Sequence, residues 1–252
     1  APLLNKVIFY PIEWVMSTMT DCLITINSED FSVAKKHLKA KKIVKVNGVG
    51  YNSDLFYKIS EEEKIRLRKE KGYPEDAIIL IYVAEMNANK NQGMLVRMMK
   101  RLTKANKNIR LLIVGADNYE GKYIRLAEEL GVSDYIDFLG HRNDACDLVH
   151  LSDIAVGSSL REGLPVNVME AMACGLPVVL SDNRGHRELC RNGRNGYIVA
   201  PDDDETMAKR VAELINDKAL YNKFSKNSLE LIKPYSKEEV LQELEAVYNE
   251  YI

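Results

Sequence analysis

Short β-branched and aliphatic runs alternate along the chain with longer stretches whose apolar residues recur every three or four positions. Strands separated by amphipathic helices in this way build a parallel sheet with crossover connections, so an α/β fold is predicted. Strands are expected at 22–26, 43–46, 77–84, 109–114, 135–139, 154–156, 177–180 and 196–199, and helices at 60–69, 91–104, 119–130, 165–173 and 204–215. Towards the C-terminus 217–231 and 236–251 read as helical, and Pro234 between them predicts a bent terminal helix with no strand after it.

The alternation breaks at 47–54, where glycines and short polar side chains replace both periodicities. Six strand signals follow the break, enough for a complete doubly wound sheet, whereas only two precede it. Residues 1–50 are therefore expected to be the end of one Rossmann-like domain and 51–235 a complete second one. Residues 236–252 would form a terminal helix packing back toward the first.

Composition narrows the function classes. With 35 basic and 37 acidic residues the net charge is -2, which offers no general attraction for nucleic acid. No apolar run approaches the roughly 20 residues of a membrane span. Cys22, Cys146, Cys174 and Cys190 are scattered without a C-x-x-C pair, favouring reduced thiols in a cytoplasmic protein over a zinc site or a disulfide framework. The opening Ala1-Pro2-Leu3-Leu4 lacks a charged n-region and a cleavage site, and reads as the middle of a longer chain rather than a signal peptide. A single basic cluster, Lys35, Lys36, His37, Lys39, Lys41, Lys42 and Lys45, reads as a solvated helix end and strand start. The alternative is a peripheral contact with anionic lipid headgroups, to which each lysine near the surface adds about 1 kcal/mol.

The chemistry concentrates in 152–177, which reads as strand, loop, helix, turn and strand. Pro165 suits the first helical turn and Gly175 the left-handed stop. Val166, Val168, Met169, Ala171, Met172 and Ala173 leave no continuous polar face, so the helix is expected to be buried nearly all round. Asn167 and Glu170 nevertheless share one face of it, and an ionised carboxylate there needs a hydrogen-bonding partner or an aqueous cleft. Glu162 sits in the preceding loop, and Glu170 lies about 7–8 Å along the axis from Pro165 at a rise of ~1.5 Å per residue. Two carboxylates so placed can address different parts of one elongated ligand. Between them the backbone N–H groups of Gly163, Leu164 and Val166 point out of a helix N-terminus, a site suited to a diphosphate. On geometry alone the alternative is that Glu170 pairs with a core arginine and Glu162 merely favours the helix start.

Glu162-Gly163-Leu164-Pro165, followed after four further residues by Glu170, resembles the signature of the family-four retaining glycosyltransferases. The stretches 170–179, 111–115, 138–140 and 195–197 fall where that family's motifs are expected, so the resemblance covers about 43–200. Over its whole length, including 21–27, the chain is also similar to bacterial exopolysaccharide glycosyltransferases. The resemblance implies the GT-B fold, a sheet domain for the nucleotide sugar facing an acceptor-binding domain that is largely missing here. It also assigns roles. Glu162 is the catalytic candidate, bonding donor-sugar hydroxyls beside the reacting carbon, and Glu170 holds the ribose. Lys90 holds the diphosphate, and the backbone at His141 and Arg142 reads the nucleobase. Leu164, Pro165, Asn167 and Ser158 complete the donor-binding set with Gly163 and Val166. Many members carry an arginine where this chain has Glu85, which leaves Arg161 or Arg142 to compensate. His186, at a loop-to-helix start, reads as a cap or surface residue and takes no role.

The implied reaction transfers a hexosyl or N-acetylhexosaminyl group from a UDP- or GDP-linked sugar to a hydroxyl of a saccharide or lipid-linked saccharide, with retention. Exopolysaccharide, capsule or lipopolysaccharide synthesis is the expected setting. No cofactor is implied, and the lack of Asp-x-Asp near the site argues against an obligatory metal. The alternatives are a nucleotide-sugar-binding module without turnover and another doubly wound enzyme such as a sugar-nucleotide epimerase.

Overall fold

The break at 47–54 separates two parallel sheets in the computed structural model, which describes residues 8–251. The reading of Ala1 to Leu4 as no signal peptide lies outside the described residues. Ahead of the break come α1 (Tyr10–Ser17), β1 (Cys22–Thr25), α2 (Ser28–His37) and β2 (Lys42–Lys45), with β1 and β2 paired in parallel. After it, β3 (Ile78–Val83), β4 (Ile109–Val114), β5 (Ile136–Gly140), β6 (Ile154–Gly157), β7 (Val178–Ser181) and β8 (Gly196–Val199) form one sheet in the order β5-β4-β3-β6-β7-β8. All its pairings are parallel, so the predicted α/β architecture of one complete sheet and a smaller second one is the observed one.

β6 and β7 are buried along their whole length and β3 and β4 nearly so, which explains why they read as unbroken apolar runs. On one face Leu80, Tyr82, Leu111 and Ile113 pack against α4 (Gln92–Leu102), α5 (Lys122–Leu130) and α9 (Asp204–Asn216). On the other, Ile79, Ile81, Leu112 and Leu180 pack against α6 (Ala145–His150), α7 (Val166–Ala173) and α8 (Arg184–Leu189).

Helix boundaries follow local chemistry. α3 (Glu61–Lys71) opens on a reciprocal Ser60–Glu63 capping box and stops at left-handed Gly72. α5 starts at Lys122 rather than at 119, because the Asp117 carboxylate takes the N–H groups of Tyr119 and Gly121 and holds 117–121 in a turn. The bent terminal helix is instead two helices, α10 (Lys218–Ile232) and α11 (Lys237–Tyr248), divided by a 3-10 turn at Lys233–Tyr235. Ser236 caps the second, whose Glu243 accepts from the backbone N–H and side chain of Asn47. Beyond α11, Glu250 pairs with Lys42.

At the start of β8 a Cβ on Gly196 would lie 2.0 Å from the Val178 carbonyl oxygen, closer than any real contact. The obstacle is backbone of the paired strand and cannot swing aside. Gly196→Ala is therefore expected to destabilise the chain by about 1–3 kcal/mol or more through overpacking. An unchanged urea midpoint for this variant would contradict the β7–β8 pairing.

Candidate active site

β3 and β6 are neighbours although their helices cross to opposite faces, so the topological switch point, where open α/β sheets take their ligands, lies at their C-terminal ends. The loop after β3 brings Lys90 to it and the loop after β6 brings Glu162. The two side chains meet there, Lys90 Nζ lying 2.5 Å from Glu162 Oε1, both largely shielded from solvent. The loops are laced together beneath them. Ser158, fully buried, donates from Oγ to the Lys90 carbonyl at 2.7 Å, and Asn87 Oδ1 accepts the Lys90 N–H at 2.9 Å. Leu160 N–H donates to Asn89 O at 2.8 Å, and Asn89 Nδ2 to Arg161 O at 3.1 Å. Ser158 thus holds the lysine's backbone, and its hydroxyl proton is committed to that bond.

α7 begins one residue later than expected, with Pro165 as its N-cap in an extended conformation, φ -76° and ψ 115°. A proline cap brings no side-chain acceptor. Among the described residues no protein group accepts from the N–H of Gly163, Leu164 or Val166. Donors left open at a helix start, beside a lysine, suit an anion. Farther along α7, Val168, Met169 and Ala171–Ala173 are buried while Asn167 and Glu170 remain partly open. No described arginine or other side chain bonds Glu170, so the core-pair alternative does not hold. Burial, uncompensated, pushes its carboxyl from the ordinary 4.5 to about 7. The same low-dielectric patch raises the neighbouring Cys146 thiol to about 11.

The other expected residues divide. His141 is exposed just past β5, beyond left-handed Gly140. Arg142 is held through two nitrogens by Asp144, each at 2.7 Å, and is therefore already committed to another partner. Asp144, which Lys71 also bonds, is held well below the usual carboxylate range by these cations. Glu85 does not leave a bare negative charge. Its oxygens accept from Asn87 Nδ2 at 2.9 Å and Asn118 Nδ2 at 2.7 Å, fastening two loops. Arg161 is exposed and has no ion-pair partner among the described residues, so of the two compensating candidates it is the one still free.

His186 corrects the expectation of a cap or surface residue. It is 1% exposed, and its Nδ1 lies 2.6 Å from the Ser181 carbonyl oxygen, to which it donates. Burial lowers its pKa to about 4, so the ring is neutral. Asn183 is the real cap of α8, accepting the His186 N–H at 2.9 Å. The ring packs beside Gly157, where a Cβ would stand 3.4 Å from His186 Cε1, an ordinary contact, and only 2.9 Å from Leu180 Cδ2.

The family described as Glycosyl transferases group 1 matches residues 63–231. A protein of Bacillus subtilis (strain 168), provisionally named glycosyltransferase EpsD, is 38% identical over 253 residues, a match that covers 100% of this chain and 66% of that protein. Among solved structures, sucrose-phosphate synthase from Thermosynechococcus elongatus superposes with a TM-score of 0.84 at 23% identity, over 96% of this chain and 61% of that one. Anabaena HepE in complex with UDP-glucose gives 0.83 at 20% identity, over 96% and 67%. At such identities the likeness is one of fold, and it agrees with the GT-B type that the motifs implied.

Proposed function

Because the chain belongs to the group 1 glycosyl transferases, we propose that this site is the donor half of a retaining transferase acting on a nucleoside diphosphate sugar. The observation that carries this reading is the Lys90–Glu162 pair, set beside open N–H groups at the start of α7 and an unpartnered Glu170. A diphosphate at the start of α7 draws Lys90 Nζ away from Glu162. The lysine and the helix N-terminus then take up the charge that grows as the nucleotide departs. Glu162, released, accepts from hydroxyls of the donor sugar, and Glu170 accepts from the ribose. The acceptor hydroxyl attacks on the face the nucleotide leaves. The UDP-glucose complex of HepE supports a uridine nucleotide, and the kinship with EpsD supports polysaccharide synthesis.

Residues 1–50 belong, on this reading, to the acceptor-binding lobe and 51–235 to the donor domain. The two-stranded sheet and an α1 that leaves Ile12, Trp14, Val15 and Met16 exposed support the division. A lipid contact through the basic cluster is less favoured. Lys41, Lys42 and Lys45 are already paired with Asp21, Glu250 and Glu188.

Calorimetric titration tests the donor site. UDP is expected to bind the 252-residue chain, and Lys90→Met to weaken UDP about tenfold while leaving uridine unchanged, as loss of a charge-assisted bond to phosphate requires. A folded chain that binds no UDP at millimolar concentration would remove the basis of the proposal.

A further inference from the structure

Glu162 can select a sugar only if its carboxylate points the right way, and its backbone is held from two sides. From within the donor domain, Arg184 donates from Nε to the Glu162 carbonyl at 3.3 Å, and Gly185 lets α8 press close, since a Cβ there would lie 2.8 Å from Glu162 Cβ. The second hold comes from the small sheet. Asn27, the residue between β1 and α2, is fully buried, and its Nδ2 donates to the Gly163 carbonyl at 3.1 Å, 136 positions away in the chain. Its Oδ1 meanwhile accepts the Asp30 N–H at 2.8 Å and caps α2, and Nδ2 also donates to Asp30 Oδ2 at 2.8 Å. The remaining contacts of this corner keep α2 in place. Glu188, 7% exposed, accepts from the Ser28 N–H, the Ser28 hydroxyl and Lys45 Nζ at 2.9, 2.9 and 3.0 Å. Arg184 and Arg187 pair with Asp30 and Glu29.

We propose that Asn27 is a positioning residue for the donor sugar, through which the small lobe fixes the Glu162–Gly163 backbone and so aims the Glu162 carboxylate. The proposal rests on the reading of Glu162 as the sugar-binding carboxylate. The buried amide has two tasks here. The oxygen and one N–H of the nitrogen serve Asp30 of α2, whereas the other N–H reaches across to the other lobe, which a shorter side chain cannot do.

That division supplies the test. Asn27→Ser keeps a capping oxygen of equal quality but loses both Nδ2 bonds, the one to Gly163 and the one to Asp30; Asn27→Ala loses the cap as well. UDP and UDP-glucose are titrated into the wild-type chain, both Asn27 variants and Glu162→Gln, and thermal midpoints are recorded alongside. Asn27→Ser is expected to melt closer to wild type than Asn27→Ala does, to bind UDP within about twofold of wild type, and to lose about five- to tenfold in UDP-glucose affinity, the worth of one hydrogen bond. Most of the Glu162→Gln loss should be reproduced. Should Glu162→Gln weaken UDP-glucose while Asn27→Ser does not, the proposal is wrong and the reading of Glu162 stands. A loss confined to Asn27→Ala, in step with its melting midpoint, would make Asn27 a helix cap and nothing more. If Glu162→Gln itself leaves UDP-glucose binding unchanged, the role of Glu162 fails and the proposal with it.

Discussion

Incubated with UDP-glucose and a panel of saccharide and lipid-linked saccharide acceptors, the 252-residue chain is expected to form no transferred product. The groups assigned to the donor, from Lys90 to Glu170, all belong to the six-stranded domain. Across from Glu162 the small lobe brings Asn27 to the Gly163 carbonyl, and Ile26 comes within 3.5 Å of where a Gly163 Cβ would stand. These contacts steady the donor loop, and neither offers a general surface for a saccharide. An acceptor that is not held loses the advantage of orientation, roughly 7–11 kcal/mol of a barrier. Water needs no such surface, so slow donor hydrolysis is the most that should be seen. The assay is release of nucleotide measured beside formation of glycosylated acceptor. Efficient, saturable transfer would show that the small lobe is a sufficient acceptor site and that the proposed division of the chain near residue 50 is mistaken.

What the sequence revealed and what it concealed follow the reach of the interactions. β3 and β4 are legible because burial on both faces demands uninterrupted apolar runs such as Ile78–Val83. α6 and α8, each six residues long, span too few turns for an amphipathic period to show. Glu162 and Glu170 are conspicuous because a carboxylate beside or within a nearly apolar helix conflicts with its surroundings. Their environments are not legible. Nothing in the separate loops announces that Lys90 and Glu162 meet, 72 positions apart. Nor does anything announce that one of the three side-chain bonds of Asn27 reaches Gly163, or that Ser28 and Lys45 of the small lobe converge on Glu188. His186 has no sequence signal at all, since its burial depends on how the fold packs the ring between Ser181 and Gly157 on neighbouring strands.

Glu170→Gln is expected to make the chain more stable at pH 8 and worse at binding its nucleotide. In the folded chain the carboxyl titrates near 7 against an ordinary 4.5, with burial as the cause and no partner to offset it. Between those values the folded state keeps a proton that the unfolded state has lost. Unfolding free energy therefore falls as pH rises from about 4.5 to about 7 and levels off above, the full cost of the buried charge being present at pH 8. At about 1.4 kcal/mol per pKa unit the shift amounts to about 3 kcal/mol, which water reaching this partly open group reduces to about 1–2 kcal/mol. The neutral amide carries no such cost, so the variant's melting midpoint should exceed that of wild type at pH 8 and approach it at pH 5. Function should move the other way. Ribose hydroxyls donate best to a charged carboxylate, and replacing it costs about 1.5–3 kcal/mol of nucleotide affinity, whereas Glu162→Ala, which only frees Lys90, should not weaken the binding of free nucleotide. Binding to wild type should also tighten as pH rises through 7 and release protons below it, most clearly with UDP-glucose, whose diphosphate has no ionisation in this window. Thermal melts at pH 5 and 8 and titrations across the same range decide the matter. A variant no more stable than wild type at pH 8 would mean that Glu170 has a partner in solution, and equal affinity for UDP-glucose would remove it from the ribose site.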